Sequence, residues 1–403
     1  MTTQHRNFWL TLTVLSIVGS SLYFGACTHD DQIVDEYIPK PTVNDKELLS
    51  KKVTTAPALD GTIDAAWDDA TKLETTATVP DPGQDVFKGY TGNSYHLTMR
   101  SMYDDQNIYF LAEWNDNELS LNRDPWYFDP VAKLWQQESN KPKFDAAGQM
   151  TRPAFYEDKF AMNWNVNNTV AGWDQTTCYA SCHTGLSTAD GLARHYTNSA
   201  NERIDMWHWK SVRNGLVYGQ FDDQYQDSTT PNGRKSDAKV SGGYTNNVQT
   251  LMITGTATSV KVPKYFIPAK SYYYWITKEE IDNGTAKLIT AVDADGVLTY
   301  DGGTIDPNTD LTFLRNGATT GASGIPSVYL APWVGSRGDI TCAAEYTGSG
   351  WVLEFQRKLN TGDADAQDVD FSTLEDKYFG IGIFNGAAIA HAIKPNLLLK
   401  FEK

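Results

Sequence analysis

Apolar and polar residues alternate in short segments from Val53 onward, and Gly, Asn, Asp and Pro separate these segments. A period of two sends successive side chains to opposite faces of a strand, so the pattern predicts strands that are half-buried in a sheet. The segments 95–102 and 107–114 flank a polar turn and predict a hairpin. A Gly-containing segment, residues 378–384, alternates in the same way. Many short strands of this kind indicate an all-β fold, and we expect an antiparallel β-sandwich.

Other segments depart from this alternation. Residues 63–73, after Asp60-Gly61, predict a short helix, and residues 278–283 predict another turn of helix. Residues 220–250 and 284–325 are rich in Gly, Thr, Asn and Asp. We interpret these two ranges as long surface loops or insertions in a sandwich domain that spans residues 51–403.

The N-terminus predicts export. One Arg precedes an apolar stretch, residues 8–24, that is too short and too rich in Ser and Thr to span a bilayer comfortably. Residues 1–26 therefore predict a signal peptide, and Cys27 at its end resembles the lipidated first residue of a bacterial lipoprotein. Ordinary secretion with an incidental cysteine is the alternative. Residues 27–50 predict a lipidated polar tether, whose first residues resemble a signal for the cell surface. We expect a chain anchored in the bacterial cell envelope, at the periplasmic face or the cell surface.

Composition excludes several classes of protein. The 403 residues are 40% hydrophobic and 12% aromatic, which is enough apolar surface for a folded core. The four cysteines are too few for a disulfide scaffold. The 34 Lys and Arg against 50 Asp and Glu give a net charge of −16, which argues against nucleic acid and favours docking on basic partners.

The segment Cys178-Tyr179-Ala180-Ser181-Cys182-His183 has the C-x-x-C-H spacing of c-type haem attachment. Two thiols at this spacing can add to the two vinyl groups of one porphyrin, and the adjacent His183 then binds the iron. A covalent bond retains the cofactor outside the cytoplasm, which agrees with the predicted export. A thioredoxin-like dithiol, a disulfide and a zinc site are the alternatives, and the loop-like surroundings and the missing second C-x-x-C disfavour them. We expect one covalent haem c, with Cys342 left as a small buried residue.

The sixth iron ligand stays open at this point. Met162 lies on the apolar face of the strand predicted at residues 159–166, where a Met is more often core than ligand. His208 stands between Trp207 and Trp209 and is equally consistent with simple packing. The remaining candidates are His391 and Lys394, with His195 and Met206 behind them.

Several segments, taken in order, resemble one family, the haem-binding subunit of ethylbenzene dehydrogenase, also described as a cytochrome c-552/DMSO reductase-like haem-binding domain. The matching segments span roughly residues 50–403: Pro57-Ala58-Leu59-Asp60-Gly61 with Ala66-Trp67, Tyr103-Asp104-Asp105 with Ile108-Tyr109-Phe110 and Trp114, residues 157–162, residues 205–210, residues 351–359, and Ile393-Lys394. The resemblance implies a β-sandwich similar to family 9 carbohydrate-binding modules (CBM9) and to DOMON modules.

The same resemblance implies a site. A Met and a Lys hold a b-type haem in the family, at positions matching Met162 and Lys394 here. Because this sequence adds C-x-x-C-H, both cannot remain ligands beside His183. We favour a His183/Met162 pair, a familiar electron-transfer arrangement, followed by Lys394 and then His208. Trp207 and Trp209 are expected to line the haem pocket and exclude water.

The first hypothesis for function is a monohaem c-type cytochrome lipoprotein that transfers electrons between a membrane or surface redox chain and a partner oxidoreductase. The resemblance implies a DMSO reductase-type molybdoenzyme as that partner, and a multihaem or membrane cytochrome is the alternative. The chain carries no catalytic motif of its own, so an electron-transfer role is favoured over an enzyme. A surface glycan-binding or ligand-binding sandwich with the aromatic residues 265–266 and 272–275 is the alternative. A haem-based sensor or peroxidase with an open sixth site is a third hypothesis.

Overall fold

Strands dominate the chain. The computed structural model describes residues 45–182, 195–238, 240–270, 273–310, 313 and 324–403. The strands are β1 Glu47–Lys52, β2 Leu73–Thr78, β3 Ser94–Tyr103, β4 Asn107–Asn115, β5 Trp126–Asp129, β6 Leu134–Gln137, β7 Lys143–Phe144, β8 Met150–Arg152, β9 Lys159–Asn165, β10 Ile204–Lys210, β11 Asp222–Gln226, β12 Arg234–Ser236, β13 Ser241–Asn246, β14 Gln249–Met252, β15 Ser259–Val262, β16 Tyr265–Phe266, β17 Ile276–Thr277, β18 Lys287–Val292, β19 Leu298–Tyr300, β20 Gly303–Ile305, β21 Val328–Val334, β22 Thr341–Tyr346, β23 Gly350–Lys358, β24 Lys377–Phe384 and β25 Ala392–Phe401.

Helical segments are short. The α-helices are α1 Trp173–Thr176, α2 Leu216–Tyr218 and α3 Lys278–Asp282. Tighter or wider turns occur at Ala65–Asp69, Asp85–Phe87, Val166–Asn168, Thr177–Ser181, Ser211–Gly215 and Ser336–Gly338. Across the described residues, no helix is long and apolar enough to cross a membrane.

The main sheet folds over to form the two layers of the sandwich. Its order is β12-β11-β10-β9-β24-β25-β1-β3-β4-β23-β22, and β2 pairs with both β25 and β3. Neighbouring strands are antiparallel, with the exception of β1, which runs parallel to β25 and to β3. The two halves meet in an aromatic core, where Trp114 of β4 stacks on Phe160 of β9 with ring centroids 5.4 Å apart. The all-β sandwich expected from the alternating pattern is confirmed, with β1 as the parallel exception.

The predicted hairpin is confirmed as β3 and β4, which pair from Leu97↔Trp114 to Tyr103↔Ile108. Asp104 fixes its turn, because one carboxylate oxygen accepts hydrogen bonds from the backbone N–H groups of Gln106 and Asn107, each at 2.7 Å.

The predicted helix after Asp60-Gly61 is one turn of 3₁₀-helix, Ala65–Asp69. The second predicted turn is α3, which begins with a capping box between Thr277 and Glu280. Both segments are therefore shorter than the amphipathic helices that carry a core on their own.

The structure differs from the prediction of long surface loops at 220–250 and 284–325. The described parts of these ranges contain strands, including β11 and β18, and a second hydrophobic core lies among them. Phe128, from β5, belongs to that core, and a Cβ added at Gly296 would lie 2.1 Å from its ring. The composition hid this core because its apolar residues are widely spaced and several come from distant parts of the chain.

The N-terminal predictions lie mostly outside the described residues. The signal peptide at 1–26, the lipidated Cys27 and the tether to residue 44 stay predictions. The tether ends earlier than residue 50, because β1 begins at Glu47 and pairs with β25 from Glu47↔Leu398. Backbone pairing on both sides holds this strand, although its sequence has little apolar alternation.

Candidate functional site

The outer face of β9, β10 and β24, opposite the core, has a floor of small residues. Ala161 of β9 pairs with Gly382 of β24, and Asn163 pairs with Gly380. Since Gly380 and Gly382 are two positions apart, they share a face of β24 and leave it without side chains. A cavity of about 310 Å³ lies over this floor and is lined largely by apolar atoms. The floor permits a flat group to approach the backbone closely.

The predicted thiols lie at this cavity. The turn Thr177–Ser181 carries Cys178 to the floor, where a Cβ added at Gly380 would lie 2.6 Å from the Cys178 sulfur. The backbone N–H of Asn396 donates to the Thr177 hydroxyl at 3.0 Å and anchors the turn to β25. Cys182 also lines the cavity, and its backbone forms an isolated antiparallel β-bridge with that of His195. Both cysteines are thiols, and burial raises the pKa of the Cys178 thiol to about 11.

The third member of the motif, His183, lies outside the described residues. Its predicted role as an iron ligand therefore stays a prediction. Cys342, on β22, is buried in the core cluster, as expected for a small apolar residue.

His208 projects from β10 toward the cavity. Its Nδ1 is 2.9 Å from Nη2 of Arg234, and its buried Nε2 has no protein partner in the part of the chain that the structure describes. Because a guanidinium can only donate, Nδ1 accepts and the proton of the neutral ring is on Nε2. Burial, together with the positive charges of Lys210 and Arg234, holds the pKa of His208 well below its usual value.

Cations surround this end of the cavity. Arg234 lines the cavity and donates to Gln224 and His208, with no carboxylate within ion-pair distance in the described chain. Buried Lys159 contacts the carbonyl of Ala388 at 3.0 Å and lies 3.9 Å from the ring centroid of Phe384. This end of the cavity therefore favours a negatively charged group.

His391 also lines the cavity and lies in the loop before β25. Its Nδ1 is 2.7 Å from the carbonyl oxygen of Ile389, and its ring stacks on Phe384 with centroids 4.4 Å apart. A Cβ added at Gly382 would lie 3.3 Å from the His391 ring. Burial lowers the pKa of His391 to about 4, so the ring is neutral near pH 7.

The other predicted site residues occupy the opposite face. Trp207 and Trp209 are fully buried in the core cluster and do not line the cavity, contrary to the prediction. The period of two explains this difference, since it turns both inward and turns His208, between them, outward. Lys394 pairs with Ile381 of β24, which on its other side pairs with Met162 of β9. Lys394 likewise does not line the cavity.

Met162 borders the cavity but belongs to the buried core cluster, 1% exposed. The thioether that shares the outer face is Met206, whose sulfur accepts from the Gln226 amide at 3.9 Å. Its register partner is Asn163, on the cavity floor. The ligand role of Met162 stays a prediction.

Three contributors to the site escaped the sequence reasoning: the glycine floor, Phe384 and Arg234. The alternating glycines of the segment 378–384 carried a usable signal, because they fall on the face opposite its apolar residues. Arg234 carried none, since it comes from a segment that reads as a polar loop.

One comparison with known proteins identifies a family. The ethylbenzene dehydrogenase family model matches residues 64–394. No curated protein matches the sequence. Similar solved structures include a family 9 carbohydrate-binding module from Caldicellulosiruptor kristjanssonii in complex with glucose, at 9% identity and a TM-score of 0.29, covering 89% of this chain and 96% of that one. The same module in complex with cellotriose gives 10% identity and a TM-score of 0.30, covering 89% and 94%. With the family model matching more than half of its length, the chain belongs to the ethylbenzene dehydrogenase family.

Proposed function

We propose that this protein is a monohaem c-type cytochrome that transfers single electrons to or from a partner oxidoreductase. The observation that carries the proposal is the position of Cys178 and Cys182, which line one apolar cavity over a glycine floor. In a C-x-x-C-H motif, two thiols directed at such a cavity suit covalent attachment of a planar cofactor.

The cavity residues fit a haem in chemical character. The porphyrin is flat and apolar, and it carries two carboxylate side chains on the edge opposite its vinyl groups. Gly380 and Gly382 allow Cys178 and the His391 ring to approach the backbone of β24 closely, and the cysteines supply thiols. The unpartnered Nε2–H of His208 and the guanidinium of Arg234 offer donors to carboxylates.

When bound, the haem supplies an iron that changes oxidation state by one electron. The residues of the chain attach the cofactor and exclude water from it. Each thiol adds its S–H across a vinyl C=C bond, so that the sulfur joins one carbon, the proton goes to the other, and no electrons are lost. Phe87, Phe384 and Ile393 line the cavity and exclude water from it. A water-poor pocket of this kind raises the cost of changing the charge on the cofactor and so tunes its potential.

The proposal extends to location and partners. The predicted signal peptide and Cys27 support a lipid anchor in the bacterial cell envelope, and the net charge of −16 favours a basic docking patch on the partner. A DMSO reductase-type molybdoenzyme, a multihaem cytochrome and a membrane cytochrome are the partner classes that we propose.

The test is the haem content of the mature protein, expressed in full with a working cytochrome c maturation system. We expect a c-type pyridine haemochrome spectrum and a mass increased by one haem. A colourless protein, or a haem that acid acetone extracts, overturns the proposal.

The glycan-binding alternative rests on aromatic residues that prove to be packed. Phe266 and Tyr273 are buried in two hydrophobic clusters, and Tyr265 makes an edge contact with Tyr329 at 5.5 Å. Tyr272 lies outside the described residues. Retardation of a haem-free Cys178→Ser/Cys182→Ser variant in polysaccharide gels would restore this alternative, because stacking on sugars needs no cofactor.

A further inference from the structure

Three imidazoles line the cavity, those of His195, His208 and His391. His208 and His391 have opposite hydrogen-bonding states, and the partner of Nδ1 fixes the state of each of these two rings. A backbone carbonyl can only accept, so Nδ1 of His391 carries the proton that it donates to Ile389 at 2.7 Å. A guanidinium can only donate, so Nδ1 of His208 accepts from Arg234 at 2.9 Å. The neutral rings therefore differ at Nε2, which is a lone pair on His391 and an N–H on His208.

Only one of these states suits a metal. Iron binds the lone pair of a neutral imidazole, and a metal-bound histidine generally donates its other N–H to a carbonyl or carboxylate. His391 already has this arrangement. His208 would first have to lose its Nε2 proton or its hydrogen bond to Arg234, which makes it a donor toward the cavity rather than a ligand.

The loop that carries His391 is held rigidly. The Ala388 carbonyl accepts from buried Lys159 at 3.0 Å, and the backbone N–H of Gly386 donates to Asp158 at 2.8 Å. The side chain of Asn385 donates to Asp116 at 2.7 Å. The His391 ring then stacks on Phe384. A ligand fixed in this way loses little conformational freedom on binding a metal.

The position of His391 matches that of the thiols. Cys178 lies over Gly380 and His391 lies against Gly382, and alternate residues of one strand are about 7 Å apart. Both groups therefore lie at one cavity floor. Among the sulfur ligands, Met162 belongs to the core cluster, and Met206 already accepts a hydrogen bond from Gln226.

We propose that His391, through Nε2, is the second axial ligand of the haem iron, so that the cytochrome has bis-histidine rather than histidine–methionine coordination. This inference rests on the proposed function, with His183 as the first ligand. His208 and Arg234 then face the haem as hydrogen-bond donors for a carboxylate.

The test compares spectra of the full-length holoprotein and its variants. The wild-type ferric protein should be low-spin and lack the near-infrared band of a thioether–iron bond. His391→Ala should lose the low-spin spectrum and bind carbon monoxide rapidly when reduced, and added imidazole should restore the low-spin state. His391→Met should gain the thioether band and raise the reduction potential.

The matched control is His96→Gln, at an exposed histidine of β3 that does not line the cavity, and it should stay low-spin with wild-type carbon monoxide kinetics. A thioether band in the wild type overturns the inference, and so does an unchanged spectrum in both His391 variants. If neither variant retains haem, pulsed EPR of wild-type protein with ¹⁵N-histidine decides, because one coordinated imidazole instead of two overturns the inference. Absence of covalent haem from the wild type is a different result, since it refutes the proposed function itself.

Discussion

Strand β10 separates two polar environments of opposite sign. On its outer face, the neutral ring of His208 and the Lys210 ammonium, which pairs with Asp222, lie near Arg234 and an accessible cavity. On its inner face, Asp205 meets Asp223 and Asp368, with oxygens within 4.8 Å of one another, and the main positive charge among them is Arg357. One strand thus has basic side chains on one side and a cluster of carboxyl groups on the other.

The charged groups on the two faces of β10 are neutralised in different ways. The side chains of the inner cluster are buried. Burial and neighbouring carboxylates raise the pKa of Asp205 to about 7 and that of nearby Asp237 to about 9. The outer group borders a cavity, where an anionic ligand can neutralise it. An enclosed charge cluster therefore bears on stability, whereas one beside a cavity points to ligand binding.

The sharpest way to separate the two faces is to remove the thiols. Cys178→Ser/Cys182→Ser should lose all covalent haem, because no sulfur remains to form thioethers, while the thermal midpoint of the haem-free fold changes little. Cys342→Ala, in the core, is the matched control and should retain haem. Haem-stained denaturing gels measure the covalent haem, and a stained band for the double variant would contradict the assignment of these thiols.

The floor of the cavity provides a graded test. Gly380→Ala places a methyl group 2.6 Å from the Cys178 sulfur, so we expect a severalfold loss of haem incorporation. Gly382→Ala meets its nearest atom, on His391, at 3.3 Å and should lose less. Absorbance per mole of purified protein measures both, and equal loading of the two variants would speak against a floor shaped for a flat group.

Equivalent charge removals on the two sides should have opposite effects on stability. Arg357→Leu leaves Asp205 without its 2.9 Å partner and should cost about 3–5 kcal/mol of unfolding free energy. Lys159→Met removes a buried amine that donates to a carbonyl, packs against aromatic rings and forms no ion pair within the described residues, so it should be neutral or stabilising. Urea unfolding of the haem-free protein measures both. A large loss in Lys159→Met would show that this cation is compensated.

The last prediction concerns pH. The folded-state pKa of Asp237, about 9, is above its unfolded value of about 3.9, so its contribution to stability is complete below pH 4 and is lost as pH rises toward 9. The thermal midpoint should therefore fall across this range. Asp237→Asn cannot ionise and should flatten the slope. An unchanged slope would mean that other groups dominate.

Local patterns predicted the strands because a period of two records which face is buried. The hairpin β3–β4 and the apolar face of β9 follow directly from such alternation. The parallel strand β1 could not be predicted, since its place depends on partners about 50 and 350 residues away rather than on its own sequence.

The site, too, has one part that the sequence predicted and one part that it could not predict. The C-x-x-C-H motif identified the thiols, because their spacing reflects the chemistry itself. The cavity depends on the pairing of β9 with β24, more than 200 residues apart, and the state of each histidine depends on a carbonyl or guanidinium that spacing does not reveal. The alternation could have prevented the wrong prediction about the tryptophans, since it sends Trp207 and Trp209 to one face of the strand and His208 to the other.

The parallel strand β1 has a mechanical consequence. Tension on the N-terminal side of the chain enters at Glu47, and β1 is bonded along both edges, to β25 and to β3. Pulling along the strand loads both rows of hydrogen bonds in shear, so they must break together instead of unzipping one at a time. A sandwich tethered through this strand would resist extraction by force better than one tethered through an edge strand.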